Sequence, residues 1–337
     1  MVNNRRDFMK GTGAACAVAL AGRVAADGEI KPLDKTQRGM AQGLTLLNTR
    51  RDGQCRLAVK TGGGILDVAD AAKALHMHAP ATMDDMLQNE DGLSVNAVVE
   101  AAAKSAATRR LLVKEETVEY GPVVTRPEKI ICVGLNYRAH VMEGGAAMPK
   151  QPVLFNKYNN ALNHHNGTIR LPIAVASKFD YEVELVIVIG KEAKDVREAE
   201  ALSYIAGYST GNDFTARDLQ FDTGGQWMIG KTPDQFAPIG PYLVTADQVD
   251  PDNLAIECRV NGETRQSSNT GKMIFNCRQI VSYVSRYMTL KPGDIIFTGT
   301  PEGVILGMPK DKQVWLKAGD RIACSLEKLG ELKFALA

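Results

Sequence analysis

Residues 179–189, reading FDYEVELVIVI, constrain this chain more than any other stretch. The β-branched content reads as a strand, and residues two apart on a strand project from one face, so Glu182 and Glu184 aim at one point. Two neighbouring carboxylates repel unless a cation or a shared proton stands between them. Oxygen-only ligation suits a hard ion such as Mg²⁺, Mn²⁺ or Ca²⁺. A solvated edge strand is the plain alternative, and the very apolar continuation to Ile189 argues for the metal site.

The 337 residues, 45% hydrophobic and 23% charged, suffice for a well-buried globular enzyme. The start, NRRDFMK followed by a small-residue apolar stretch over residues 11–22, reads as a twin-arginine export signal over residues 1–26, with small residues for cleavage before Asp27. Removing Arg5, Arg6, Lys10 and Arg23 together with Asp7 takes three positive charges from a formal +1 and leaves −2. Nothing basic remains to track a nucleic acid. No apolar run is long enough to span a bilayer, and Cys16 lacks the upstream leucine of a lipoprotein signal, so no stable membrane anchor is expected. The other cysteines, Cys55, Cys132, Cys258, Cys277 and Cys324, are an odd, scattered set. They read as small buried residues, not as a disulfide framework or zinc site.

Alternating apolar runs and turns over residues 44–67 suggest a few strands, followed by helices after Thr82 and near residues 94–107. Gly121-Pro122 and Arg126-Pro127 should break regular structure between a small unit over residues 36–117 and a larger one over 128–337. Beyond that break the pattern is mostly strand. Asp195 with Glu198, and Asn276 with Gln279, have capping-box spacing and predict two helices, the second with an apolar stripe at Ile280, Val281, Val284, Tyr287 and Met288. LKPGD at 290–294 and LKAGD at 316–320 each read as a turn that launches a strand.

Several other segments can carry chemistry. His140 and Glu143, three apart after a buried strand that breaks at Gly134, would share a helix face and could move a proton near neutral pH; a solvated contact is the alternative. Asp213 could complete a facial carboxylate set with Glu182 and Glu184. Arg217 and Gln220 could point at the same ligand, unless Arg217 simply pairs with Asp218 or Glu184. Residues 225–232, GQWMIGKT, satisfy the phosphate-loop pattern literally, but no buried strand precedes them and Pro233 blocks helix entry. Lys231 reads instead as a single cation in an apolar-rimmed pocket, able to stabilise an oxyanion. Thr300, in the glycine-rich bend after the strand at 295–298, could offer its hydroxyl to a substrate oxygen; a generic tight turn is an equal alternative. The Asn- and His-rich stretch 156–167 reads as a solvated loop, its adjacent His164 and His165 poorly placed to share a metal.

In order, the segments GLNYRAHVME (134–143), DYEVE (180–184), NDFTARD (212–218), Gly230-Lys231, Ser268 to Thr270 before Met273 to Phe275, and TGTPEG (298–303) resemble the fumarylacetoacetate hydrolase family over residues 130–332. The resemblance implies an α+β, mostly β fold: a mixed β roll with a small α/β N-terminal domain over residues 36–114, usually dimeric. It implies a divalent cation, Mg²⁺ foremost, held by Glu182, Glu184 and Asp213, a catalytic His140–Glu143 pair with Lys231, and a substrate pocket lined by Arg217, Gln220 and Thr300. The expected activity is metal-dependent C–C hydrolysis of small β-diketo or 2-oxo acids. Isomerisation or decarboxylation on the same site is the alternative, and a non-catalytic exported dicarboxylate-binding protein is a further one.

Overall fold

The computed structural model describes residues 38–337; the export signal and its cleavage point lie outside them. The fold is mixed α/β with more strand than helix, arranged in several sheets. The largest has nine strands, in the order Gly64–Asp67, Gln54–Thr61, Thr45–Arg51, Leu243–Thr245, Ile205–Asn212, Val183–Ile189, Ile295–Phe297, Ile130–Gly134 and Val153–Lys157. The strand singled out by sequence lies inside this sheet, and every residue of it is buried. Its odd-numbered residues Val183, Leu185, Ile187 and Ile189 enter one core cluster, while Val186 and Val188 enter another. An apolar run that feeds two cores has to be interior, which removes the edge-strand alternative.

The early strands join the same sheet, because Thr45 and Leu46 pair with Val244 and Leu243. The segment around 118–127 lacks helix and strand apart from a bridge between Thr49 and Tyr120. A five-stranded sheet, in the order Glu263–Asn269, Ala255–Val260, Arg321–Leu326, Gly330–Leu336 and Gly167–Ile169, contributes to the first of the two cores.

Local chemistry explains most boundaries. Thr82 caps the helix Met83–Gln88 by accepting from Asp85 N, and Asn276 forms a full capping box with Gln279 ahead of Cys277–Tyr287. The two LKxGD turns share one mechanism. Asp294 and Asp320 each accept from the backbone N–H three residues earlier, at 2.8 Å, while Gly293 and Gly319 take positive φ.

Three expectations need correction. Asp195 caps no α-helix: it sits in the left-handed region, and the following turn is a 3-10 helix over Glu198–Tyr204. The stripe of the helix Cys277–Tyr287 loses Tyr287, which is exposed, while Met288 at its C-cap still packs on the core. The stretch 156–167 is not a solvated loop. Lys157, Ala161, Asn163 and Gly167 are buried, His165 packs edge-on against Tyr120, and its Nδ1 accepts from Lys333 N. His164 Nδ1 lies 2.9 Å from the His165 carbonyl.

Candidate active site

Sheet register builds the acidic centre. Glu182 lies one residue before the strand Val183–Ile189, and Glu184 lies within it. The antiparallel neighbour Ile205–Asn212 pairs Asn212 with Val183 and Gly211 with Glu184, so the next residue, Asp213, emerges beside Glu182. Oxygens of Glu182, Glu184 and Asp213 come within 4.8 Å of one another, and all three residues are buried. The short pairing of Thr215 with Asp180 carries Arg217 to the same place.

Parallel pairing of Ile295–Phe297 with Ile130–Gly134 brings two further loops to this end of the sheet. Gly299 donates its N–H to Glu184 Oε2 at 2.7 Å. It does so at φ +101°, with a Cβ position only 2.6 Å from the Asn136 Cβ, so only glycine fits. From the other loop comes His140, on the helix Arg138–Glu143. His140 Nδ1 lies 2.9 Å from Glu143 Oε1, and the Glu143 carboxylate accepts from Gly303 N at 3.0 Å. That bond leaves Nε2 as the ring nitrogen free for a ligand.

Three basic side chains balance the carboxylates. Lys231 Nζ lies 2.5 Å from Glu182 Oε2 and 2.7 Å from Asp213 Oδ2. Arg217 directs Nη2 to Glu182 (2.8 Å), Nε to Asp180 (2.8 Å) and Nη1 to Gln220 (3.0 Å). Lys157 Nζ reaches 2.7 Å from Asp213 Oδ1 while donating to the carbonyls of Phe214, Phe236 and Lys231. The Lys157–Asp213 contact is an ion pair without hydrogen-bond geometry, so Asp213 Oδ1 is a buried oxygen with no donor.

The electrostatics are uneven. Burial pushes the Glu182 carboxyl up, but Arg217 and Lys231 outweigh it and hold the group well below the usual carboxylate range. Glu184 has only one backbone donor, so burial and the charges of Asp213 and Glu182 push it well above that range. Burial works against the Lys231 ammonium, and Asp213 with Glu182 reverses this and raises it. An orphaned Asp213 oxygen, an under-compensated Glu184 and an all-oxygen donor set fit a hard divalent cation on these three residues.

A cavity of about 180 Å³ opens onto this centre, and it is lined by all three acids together with His140, Lys231, Arg217, Gln220 and Thr300. The structure thus brings the expected site residues to one cavity, except Glu143, which stands behind His140. Arg217 pairs with Asp180 and Glu182, not with Asp218 or Glu184. Thr300 Oγ1 donates to Val183 O and accepts from Gln266 Nε2, so it also locks the bend to the strand. The phosphate-loop match is a short turn of helix, Met228–Lys231, after the helix Arg217–Phe221.

Lys157 and Asp180 were missed. Asp180 carried a signal, since it lies two residues before Glu182 and so continues the same alternation. Its Oδ1 accepts from Ile305 N and its Oδ2 from Leu306 N, which ties the last loop to Arg217. Lys157 gave no such signal, because its partners come from residues 213–236.

The chain is similar to several known proteins. The pattern of the family "Fumarylacetoacetate (FAA) hydrolase C-terminal" matches residues 129–337, and a twin-arginine translocation signal sequence matches residues 2–22, which addresses the chain for export. The mitochondrial oxaloacetate tautomerase Fahd2a of Rattus norvegicus is 42% identical over 271 residues, 80% of this chain and 82% of that protein. The 2-hydroxyhepta-2,4-diene-1,7-dioate isomerase of Mycobacterium marinum superposes with TM-score 0.65 at 30% identity, covering 88% of this chain and 98% of that one. The fumarylpyruvate hydrolase of Pseudomonas aeruginosa, solved with Mn²⁺ and pyruvate, does so with TM-score 0.57 at 36% identity, covering 63% and 91%. The chain belongs to the fumarylacetoacetate hydrolase family and is an enzyme of its hydrolase or isomerase and tautomerase type.

Proposed function

We propose that this enzyme catalyses enolisation of small 2-oxo acids, with keto–enol tautomerisation as its reaction and Mg²⁺ as its cation. The observation that carries the reading is that His140 lines the same cavity as Glu182, Glu184 and Asp213. A cation on those three acids would take the 2-oxo and carboxylate oxygens of a substrate and lower the cost of enolate charge.

The chain's own groups do the rest. Glu143, pinned by Gly303 N, orients the imidazole through Nδ1. His140 Nε2 then accepts a proton from C3 and returns one to the enol system. Lys231 remains an ammonium and stabilises negative charge on the oxygen, while Arg217 keeps Glu182 ionised as a ligand. Tautomerisation needs nothing further, and the 42% identity to an oxaloacetate tautomerase supports it over hydrolysis.

Hydrolysis of a C–C bond is the second reading, favoured by the likeness to a fumarylpyruvate hydrolase. It requires a water beside His140 for attack on a distal carbonyl, with Lys231 holding the oxyanion. The test is Mg²⁺-loaded protein with a panel of 2-oxo acids and acylpyruvates, following deuterium exchange at C3 by NMR together with product identification. Accelerated exchange without cleavage, abolished by chelation, is expected. Absence of both exchange and cleavage across the panel sinks the reading. The dimer expected from the family resemblance is likewise a proposal, which sedimentation of the exported protein tests.

A further inference from the structure

We infer that the preferred substrate is a 2-oxo monocarboxylate with a flat apolar substituent on C3, not a dicarboxylate. This deepens the enolisation reading and rests on it. The cavity has two unlike halves. Its floor holds the acids and their basic partners, whereas Leu135, Phe155, Phe221, Trp227 and Leu306 build the remaining wall.

That wall is constructed. The Trp227 ring lies over Gly134 so closely that a Cβ there would sit 2.5 Å from the ring. The ring meets Phe155 edge-on at 5.4 Å between centroids, and Phe155 lies under the Lys231 ammonium at 5.0 Å. Leu135, which also lines the cavity, is held at φ +56°, an uncommon conformation for a bulky residue. Phe221, 47% exposed, extends the apolar surface to the rim.

No charge is left for a second carboxylate. Among the described residues lining the cavity, the full cations are Arg217 and Lys231. Arg217 spends all three guanidinium nitrogens on Asp180, Gln220 and Glu182, and Lys231 directs two of its three N–H groups to Glu182 and Asp213, which leaves one for the enolate oxygen at the chelating end. A protonated His140 would be neutralised by Glu143.

A second carboxylate would enter a low-dielectric, apolar half-cavity without a partner, which is costly.

Two inert oxamates with the same chelating head and different tails test this. Calorimetric titration of Mg²⁺-loaded protein is expected to show N-phenyloxamate binding at least about tenfold more tightly than N-oxalylglycine, the span expected for a filled against a mismatched apolar pocket. Trp227→Ala should shrink that ratio, and Leu306→Arg, which supplies the missing cation, should reverse it. Tighter binding of N-oxalylglycine by the unaltered protein overturns the inference while leaving a 2-oxo acid site standing. If neither compound binds, both readings fall.

Discussion

The backbone N–H of Asp213 donates to the carbonyl of Glu182 across 2.9 Å, so two acids 31 positions apart are fixed against one another by the main chain. Their mutual distance is a property of strand register and not of side-chain flexibility. A ligand set preorganised in this way binds a cation without first having to order the chain.

Glu182→Gln keeps the size of the side chain and removes its charge. We expect cation binding, measured by calorimetry, to be lost and turnover to fall by at least about a hundredfold. Near-normal activity in thoroughly chelated protein would refute the role of the acidic centre.

His140→Ala should leave cation affinity within a few-fold of the parent, since the imidazole is held by Glu143 and not by the acids. Exchange at C3 should slow by about a hundredfold or more, the range for a positioned proton-transfer group. Unchanged exchange with intact cation binding would remove the proposed base.

Lys157→Met breaks a fully buried ion pair and leaves three carbonyls without their shared donor. A loss of about 3–5 kcal/mol in denaturant unfolding is expected, because Lys231 alone is left to offset the buried Asp213 charge. Added Mg²⁺ should recover part of it, because the cation takes over the same oxygen. A variant as stable as the parent without Mg²⁺ would show that the pair contributes nothing.

Cation-linked stability should depend on pH. Burial, with Asp213 and Glu182, raises the Glu184 carboxyl in the folded chain, so folding without a cation holds its proton more firmly than an ordinary carboxyl does. A raised folded pKa means that the Glu184 contribution to cation-free stability is fully present below the ordinary carboxylate range and is lost as pH rises through the folded value, while the lowered Glu182 carboxyl contributes with the opposite sign. Mg²⁺ competes with that proton, so the thermal shift it gives should grow with pH, and binding should release protons at the lower end of the window. A shift that is flat in pH, or one that Glu184→Gln leaves unaltered in its pH dependence, would count against this coupling.

Alternation along FDYEVELVIVI determined by itself that Glu182 and Glu184 act together, and capping chemistry determined the helices after Thr82 and Asn276. Local rules of this kind need only neighbours in sequence, which is why they are legible. The same rules failed at Asp195, where a capping-box pattern met a left-handed residue, and at residues 156–167, where polar composition concealed buried positions. Only the tertiary structure decided that Lys157 lies beneath Asp213, that Asp180 orients Arg217, and that Trp227 closes an apolar wall over Gly134. Each of those contacts joins segments brought together by sheet order and strand register, and the energy that selects them comes from burying charge and apolar surface in one place, which no window of local sequence contains.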